Sequence, residues 1–270
     1  MTNGELRSLA YGYGFARAYF LPLPDFVRHD DEPSIVWEAS EYPWAGVSLL
    51  LASAYRPYPE GCRIPAYYIA SNASYHASVA LCRELETRGV KCARRELPIK
   101  QLVLKYGVGS PCRNSLVSLP GLGTRVVFQS LLLGSSREHP FAAESCEAVN
   151  EPCGACRACA AACPAGAIGE DGFDVKKCMR YYMDGADYPE WVYGVQRTHM
   201  GCEVCQAVCP RNAGIGFEEP PEDIRLAFDL NGLAEGNTKQ ARLLVGKNFT
   251  GRGKLTKEAV NFLKRDGKES

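Results

Sequence analysis

Runs of apolar residues in the first half of the chain predict a buried β-sheet. The segments 46–55 and 124–133 are short, almost continuously apolar and bounded by proline or glycine, a pattern typical of strands that are covered on both faces. The segments 15–21 and 90–96 predict two further strands. Residues 25–45 are polar and punctuated by proline, and we predict loops there.

Helical spacing of apolar residues predicts three helices in the same half. Residues 3–14 form a short helix that ends at a glycine, and 98–106 open with a proline at the first turn and precede Gly107. The segment 65–88 gives the strongest signal, because apolar residues recur at steps of three and four before Gly89. Its predicted buried face consists of Tyr68, Tyr75, Val79, Cys82 and Leu85.

The whole pattern predicts an α+β protein with three parts. Residues 1–145 form an N-terminal α/β sandwich domain, and residues 146–216, which hold nine of the 13 cysteines, form a second domain. Residues 217–270 are predicted to be a short helical tail that opens with an acidic linker at 218–223. Two short helices are predicted beyond the linker: 238–245 and 256–264.

Charge and hydropathy argue against a nucleic-acid-binding, membrane or secreted protein. The chain has 270 residues with 31 basic and 31 acidic side chains, which gives no whole-chain electrostatic footprint for nucleic acid. No apolar run approaches the roughly 20 residues that cross a bilayer, and the first residues lack the pattern of a signal peptide. We therefore expect a cytoplasmic protein with reduced thiols and no membrane partner.

The cysteines carry the chemistry of the second domain. A C-x2-C-x2-C-x3-C-P run is followed by one isolated cysteine and then by C-x2-C-x3-C-P. In bacterial ferredoxins this spacing lets three thiolates bind one 4Fe–4S cube while the fourth binds another cluster. Eight thiolates match two 4Fe–4S clusters. They are Cys153, Cys156, Cys159, Cys163, Cys178, Cys202, Cys205 and Cys209.

Other interpretations of the cysteines predict different chemistry. Zinc sites usually pair two short cysteine knuckles and disulfides need an oxidising compartment, so both are disfavoured. His199 lies three residues before Cys202, where an ordinary ferredoxin has a cysteine, and is the alternative to Cys178 as a ligand. The five cysteines outside the motif are predicted to be small buried apolar residues.

The cysteine order resembles that of the epoxyqueuosine reductases, cobalamin-dependent iron–sulfur enzymes related in fold to reductive dehalogenases. The residues around the cysteines at 164–168, 177–178 and 201–206 are also similar, as are Tyr75-His76 and Gly107-Val108-Gly109. The resemblance implies two ligand sets. The first (cluster 1) is Cys153, Cys156, Cys159 and Cys209, and the second (cluster 2) is Cys163, Cys178, Cys202 and Cys205.

The same resemblance implies a path for electrons. An external low-potential donor would reduce one cluster, and the second would pass electrons to cobalamin in the N-terminal domain, where a tRNA or small-molecule substrate also binds. Candidate corrinoid-binding residues are His76, Gly107, Gly109, Cys112 and Arg113, the last four from the stretch 107–114 that we predict to be a loop.

Arg95 occupies the position where the family carries an aspartate that acts as proton donor. An arginine does not release its proton near neutral pH, and Glu96, the next residue, would face the other way on a strand. Arg95 and Glu96 are therefore the candidate catalytic residues of an altered substrate site. Two alternatives follow: a non-catalytic electron-transfer or corrinoid-reducing partner protein, and a reductase of a different small substrate.

Overall fold

The structure is a computed structural model. It describes residues 1–23, 26–28, 36–38, 41–59, 61–146, 149, 151, 153–170, 172–183, 185, 188–246 and 251–267. The chain divides into two compact units. The first comprises Met1–Ala54, Ala73–Cys112 and Leu116–Cys153, and the second comprises Tyr55–Asn72, Arg113–Ser115 and Gly154–Ser270.

The described strands all lie in the first unit. They are β1 (Arg17–Leu21), β2 (Phe26–Arg28), β3 (Val36–Glu38), β4 (Val47–Ala54), β5 (Cys92–Arg94), β6 (Ser110–Pro111), β7 (Val117–Ser118) and β8 (Val126–Leu133). The main sheet has the order β1-β4-β8-β5, and every neighbouring pair is antiparallel. The four predicted strands of the sheet are present, although the segment 90–96 contributes only three residues.

Apolar side chains cover both faces of the main sheet. Along β4, Val47, Leu49 and Leu51 join one buried cluster, which we call the first core cluster. Leu50 and Ala52 join a different buried cluster, as expected because successive strand side chains point to opposite faces. The almost continuous apolar run thus marks a strand with two buried faces, and the predicted α+β fold is confirmed.

Helices supply the outer layers of this sandwich. The three helices are α1 (Asn3–Gly12), α2 (Ala66–Thr87) and α3 (Ile99–Lys105). Buried side chains of α1 and of the second half of α2 belong to the first core cluster. Buried side chains of α3 belong to the cluster on the other face of the sheet. All three match predicted helices, and Pro98 precedes α3 as the cap residue.

The buried face of α2 differs in part from the prediction. Tyr68, Cys82 and Leu85 are buried as predicted. However, Tyr75 is 41% exposed, Val79 is only partly buried, and Ser78 is buried instead. The Ser78 hydroxyl donates a 2.7 Å hydrogen bond to the Tyr75 carbonyl, so a small polar residue is buried without an unsatisfied donor.

Two segments predicted to be loops contain short strands. Within 25–45, β2 pairs with β3, while residues 25, 29–35 and 39–40 lie outside the described residues. Within 107–114, β6 pairs with β7. The loop prediction is wrong at these four strands. Each strand has only two or three residues, which is too short to show a recognisable alternation of apolar and polar side chains.

The second unit contains the start of α2 and seven further described α-helices. All of these seven are short except the last. They are α4 (Ala158–Ala162), α5 (Glu190–Val195), α6 (Val204–Ala207), α7 (Glu222–Ala227), α8 (Leu230–Ala234), α9 (Lys239–Val245) and α10 (Lys254–Asp266). The predicted helices at 238–245 and 256–264 correspond to α9 and α10. Glu222 and Asp223, predicted to belong to a linker, form the first turn of α7, where acidic residues stabilise the helix dipole. Within the described ranges, no helix is long and apolar enough to span a membrane.

Candidate iron–sulfur centre

The first cysteine run winds into the short helix α4. Cys156 is exposed ahead of the helix, Cys159 is buried within it, and Cys163 ends it with extended backbone at φ −67° and ψ 112°. Pro164 follows and stops a further helical turn. Cys163 therefore follows the helix that holds Cys159, and the two thiols extend from different backbone conformations.

Cys178 lies between two turns of 3-10 helix, Val175–Lys177 and Met179–Tyr182. Burial raises the pKa of its thiol, while backbone N–H groups of Arg180 and Tyr181 donate to the thiol and lower its pKa. Such N–H···S hydrogen bonds favour the thiolate, the form that binds iron.

The four thiols of the second ligand set are close enough to influence one another electrostatically. Burial, with smaller contributions from neighbouring thiols, raises the pKa of Cys202 to about 11 and that of Cys205 to about 12. Cys178 contributes to both shifts, and Cys163 contributes to the shifts of Cys178 and Cys202. Because a cluster binds thiolates and offsets their repulsion with iron, this donor set fits a 4Fe–4S cluster.

The two predicted ligand sets adjoin at α4 and α6, which pack against each other. Cys159 on α4 belongs to the first set and contributes to the raised pKa of Cys205, which lies on α6 and belongs to the second. Cys209 follows α6 and caps a turn of 3-10 helix, Pro210–Asn212. These contacts bring thiols of the two sets into one part of the second unit.

Arg180 places a positive charge beside the second ligand set. Its guanidinium carbon lies 4.4 Å from the ring centroid of Tyr67 and 4.8 Å from that of Tyr68. Burial opposes the charged form, but these two phenols lead the interactions that raise the pKa of Arg180 overall. Its charge also lowers the pKa of Cys178 and Cys202. Sequence analysis did not identify Arg180 as a functional residue. The clue in the sequence is its position, two residues after the candidate ligand Cys178.

The last two residues of the loop at 107–114 belong to the second unit, together with Ser115. Arg113 donates from Nε to the Cys156 carbonyl and from Nη2 to the Gly154 carbonyl, both at 3.2 Å. The Asn114 side chain hydrogen-bonds to the Cys205 thiol and lowers its pKa, against the larger effect of burial. Arg113, predicted to contact a corrinoid, thus holds the backbone of the first cysteine run.

His199, the alternative ligand, is fully buried and bound to a carboxylate. Its Nδ1 donates to Glu258 Oε2 at 2.9 Å, because an ionised carboxylate only accepts. The imidazole contacts the rings of Phe228 and Phe262, with centroid distances of 5.8 and 5.1 Å. Within the part of the chain that the structure describes, His199 Nε2 has no hydrogen-bond partner.

Glu258 gathers donors from several parts of the second unit. Besides His199, the Tyr188 hydroxyl and Gln196 Nε2 each donate at 2.8 Å, and the Met200 N–H donates at 3.2 Å. Burial and the Glu258 charge raise the pKa of Tyr188 well above its usual range. This network joins α10 to the segment that precedes Cys202, and sequence analysis missed it because an acid on a helix normally faces solvent.

The first unit contains an open groove of about 770 Å³, a volume typical of small-molecule sites. Gly107 and Gly109, two of the predicted corrinoid residues, line it together with Lys105, Glu144 and Cys146. Burial is the main cause that raises the pKa of the Cys146 thiol. Of the described residues that line the groove, none is His76 or Cys112.

Both glycines also have structural reasons to be glycine. Gly107 has φ +66° and ends α3, a conformation that side chains disfavour. A Cβ at Gly109 would lie 2.6 Å from the Ser118 carbonyl oxygen across the β6–β7 pair. Gly107 is partly exposed and lines the groove with backbone alone, which allows a flat ligand to approach closely, whereas Gly109 is buried.

The two candidate catalytic residues lie just beyond β5. Arg95 Nε donates to the Tyr42 hydroxyl, and the guanidinium lies 4.9 Å from the centroid of that ring. Glu96 is exposed and forms a 3.8 Å ion pair with Arg94. Arg95 is therefore held by an aromatic partner, and Glu96 by a cation.

Comparisons with known proteins agree with this architecture. Residues 152–212 match the family described as the 4Fe-4S double cluster binding domain. The epoxyqueuosine reductase of Bacillus anthracis is 28% identical over 130 residues, which cover 47% of this chain and 33% of that protein. The chain thus spans about a third of the length of this curated relative.

Solved structures share the fold over most of the chain. An epoxyqueuosine reductase from Bacillus subtilis, with its catalytic aspartate loop swung out of the active site, has a TM-score of 0.71 at 18% identity. Another, solved with an epoxyqueuosine-modified tRNA-Tyr stem loop, has a TM-score of 0.73 at 19% identity. Each covers 96% of this chain and 80% of the other. In sequence and fold the chain is therefore similar to the epoxyqueuosine reductases, and it carries a 4Fe-4S double cluster binding domain at residues 152–212.

Proposed function

We propose that the chain is an iron–sulfur reductase that relays electrons through two 4Fe–4S clusters to a corrinoid and a substrate in the first unit. The observation that carries this proposal is the cysteine spacing within residues 152–212, which match the 4Fe-4S double cluster binding domain. When bound, the clusters supply single-electron transfer and a corrinoid supplies cobalt redox chemistry.

The ligand sets follow the sequence prediction. Cys163, Cys178, Cys202 and Cys205 would hold cluster 2, supported by the effects of Cys163 on Cys178 and Cys202 and of Cys178 and Cys202 on Cys205. Cys153, Cys156, Cys159 and Cys209 hold cluster 1, supported by the ferredoxin spacing. The packing of α4, which holds Cys159, against α6, which holds Cys205, supports a short path between the clusters.

Electrons enter at the cluster 1 side in this proposal. Cys156 is exposed, and Val208, next to Cys209, is 41% exposed despite its apolar side chain. An exposed ligand and an apolar neighbour suit transient contact with an external low-potential donor protein. Arg113 keeps this loop in place through its hydrogen bonds to the Cys156 and Gly154 carbonyls.

The groove in the first unit is the proposed corrinoid site. Gly107 and Gly109 present backbone to it, and Lys105 and Glu144 supply charged groups. Glu144 also pairs with Arg7 and accepts a 2.8 Å hydrogen bond from Asn3 Nδ2, so its carboxylate is fixed in position. The substrate in this proposal is an epoxide-bearing nucleoside in tRNA or a smaller molecule of related chemistry.

Anaerobic metal analysis and cobalamin titration test the proposal together. We expect about eight iron and eight sulfide per chain, as two four-iron cubes require, and a shift in the visible spectrum of added cobalamin. Tyr106→Ala, which alters the groove, should weaken this binding. Tyr11→Ala, which changes an exposed tyrosine outside the groove lining, is the matched control. Four irons, or zinc in their place, would refute the cluster assignment.

A second candidate is an electron-transfer protein without its own substrate reaction. Arg95 favours it, because that position lacks the acid expected of the reductases and its guanidinium is held by Tyr42. Protein with both clusters intact that fails to bind cobalamin at micromolar concentration would support this second function over the first.

A further inference from the structure

Two cysteines of the first unit, outside the cluster motif, lie in contact. Cys82 Sγ and Cys92 Sγ are 2.9 Å apart, and Cys92 Sγ is 3.2 Å from the Cys82 carbonyl oxygen. Cys82 lies in α2 and Cys92 begins β5. Gly89, at φ +78°, reverses the chain between them. The contact is therefore built into the connection between helix and strand.

The pair combines an apolar setting with one acidic neighbour. Both cysteine side chains are 8% exposed and belong to the first core cluster. Glu86, one helical turn after Cys82, is exposed, and its carboxylate oxygen lies within 4.8 Å of both sulfur atoms. A hydrogen bond between the thiols lowers the pKa of Cys82 and raises that of Cys92.

We propose that Cys82 and Cys92 form a reversible dithiol–disulfide pair, a redox modification site in the first unit. A disulfide bond is about 2.05 Å long, so the sulfurs need to approach by less than about 1 Å. Formation of this bond draws together two side chains that already touch. It also leaves a neutral group, which suits the surrounding apolar core.

Zinc bound by Cys82, Glu86 and Cys92 is the competing interpretation. Two thiolates on a tetrahedral zinc, with Zn–S bonds of about 2.3 Å, lie about 3.8 Å apart. The metal would therefore push the pair apart within a packed core. Three anionic ligands would also leave a net negative charge beside apolar side chains, whereas the disulfide is uncharged.

A small-molecule disulfide can oxidise Cys82 and Cys92 by thiol–disulfide exchange. The Cys82 thiolate attacks one sulfur of the reagent, whose S–S bond breaks, and the departing half takes up a proton and leaves as a thiol. The Cys92 thiol then loses its proton and attacks Cys82 Sγ, which expels the other half as a second thiol. Two electrons and two protons pass from the cysteine pair to the reagent.

Glu86 gives the site a charge preference. Its exposed carboxylate repels anionic disulfides, so a neutral reagent such as 2-hydroxyethyl disulfide should react several-fold faster than oxidised glutathione. Glu86→Gln should reduce this difference, and so should high salt, which screens exposed charges. Glu84→Gln is the matched control, because Glu84 lies on the same helix and pairs with Arg88.

The test incubates the anaerobic, cluster-loaded protein in buffers of 2-hydroxyethyl disulfide and 2-mercaptoethanol, with cluster absorbance monitored. After quenching and alkylation, mass spectrometry measures the peptide that links Cys82 to Cys92. We expect its ratio to the reduced form to rise tenfold when the reagent disulfide is raised tenfold at fixed thiol. In Cys92→Ser, Cys82 should instead carry one mercaptoethanol adduct.

Two outcomes would overturn the proposal. One is recovery of Cys82 and Cys92 as separately alkylated residues at every reagent ratio. The other is one zinc per chain in the untreated protein that is lost in Cys82→Ser while both clusters remain. Neither outcome depends on the reductase activity, so this site and the proposed function are tested independently.

Discussion

At the scale of single residues, Cys178 and His199 compete for one ligand position, and their surroundings differ. Cys178 contributes to the raised pKa of both Cys202 and Cys205. The His199 ring is instead enclosed by phenylalanines and tied to Glu258 through Nδ1. A thiol among thiols suits an iron–sulfur cluster better than an imidazole committed to a carboxylate.

We therefore predict that Cys178→Ala loses one of two cluster signals in electron paramagnetic resonance of the reduced protein. His199→Ala should keep both signals, although it should lower stability because it opens a cavity and removes a hydrogen bond to Glu258. His199→Gln, which retains a donor, is the milder control. Loss of a cluster in both histidine variants, with both retained in Cys178→Ala, would reverse the assignment.

Arg180 carries a second prediction at this scale, because its charge lowers the pKa of Cys178 and Cys202. The same charge should stabilise an added electron on cluster 2. An interaction of about 1–2 kcal/mol corresponds to about 40–90 mV for one electron. In an anaerobic redox titration, Arg180→Gln should lower the reduction potential of one cluster by about this amount. Arg180→Lys keeps the positive charge and should lower that potential less. Equal potentials in the wild type and Arg180→Gln would contradict this role.

At the scale of elements, the length of a periodic segment decided how well the sequence predicted it. Helix α2 and the strands β4 and β8 lie inside the predicted segments because each repeats its pattern over at least eight residues. The five-residue helix α8 and the two-residue strands β6 and β7 went unrecognised. Their formation depends on tertiary packing, which a local pattern does not contain.

Helix α10 shows what a correct element prediction leaves out. The sequence predicts the helix, and Leu255, Ala259 and Phe262 are buried at helical spacing. Glu258 lies on the same buried side, where its carboxylate accepts from Tyr188, Gln196, His199 and Met200. Those donors are about 60 to 70 residues away in sequence, so only the folded chain reveals why an acid is buried there.

Glu258→Gln should lower the free energy of unfolding by about 3 kcal/mol, because an amide nitrogen would face donors that need an acceptor. Denaturant unfolding of the cluster-loaded protein measures this change. Glu222→Gln on α7 is the matched control, since its 3.4 Å pair with Arg225 is exposed and should contribute less than about 1 kcal/mol. Equal stability of Glu258→Gln and the wild type would show that the network does not stabilise the fold.

At the scale of the whole molecule, the cluster region was more predictable than the first-unit groove. Fixed cysteine spacing reports directly on cluster chemistry, and residues 152–212 match a double-cluster family. The groove is assembled from Pro22, from the segment around Gly107 and from residues near Glu144. No local pattern links these distant segments, and Arg113, predicted for the corrinoid site, instead holds the first cysteine run.

The proposed substrate reaction would involve both parts, and Arg95 is the residue at which it can be tested. A positioned general acid commonly accelerates a reaction about a hundredfold to ten-thousandfold, and Arg95 does not release a proton near neutral pH. Its guanidinium is also held against Tyr42. We therefore predict slow or undetectable reduction of epoxyqueuosine in tRNA by the native chain, supplied with cobalamin and a chemical reductant.

Arg95→Asp should increase this rate, because it places a carboxyl group where the reductases carry their acid. Arg95→Asn is the matched control, since it removes the cation and leaves a side chain of similar size to aspartate without an acidic proton. Queuosine formed per minute, measured after digestion of the tRNA, distinguishes the variants. Rapid turnover by the native chain would place the proton donor elsewhere, with Glu96 the nearest candidate once its 3.8 Å ion pair with Arg94 is released. Equal gains in the aspartate and asparagine variants would instead mean that the arginine acts as a barrier to substrate binding.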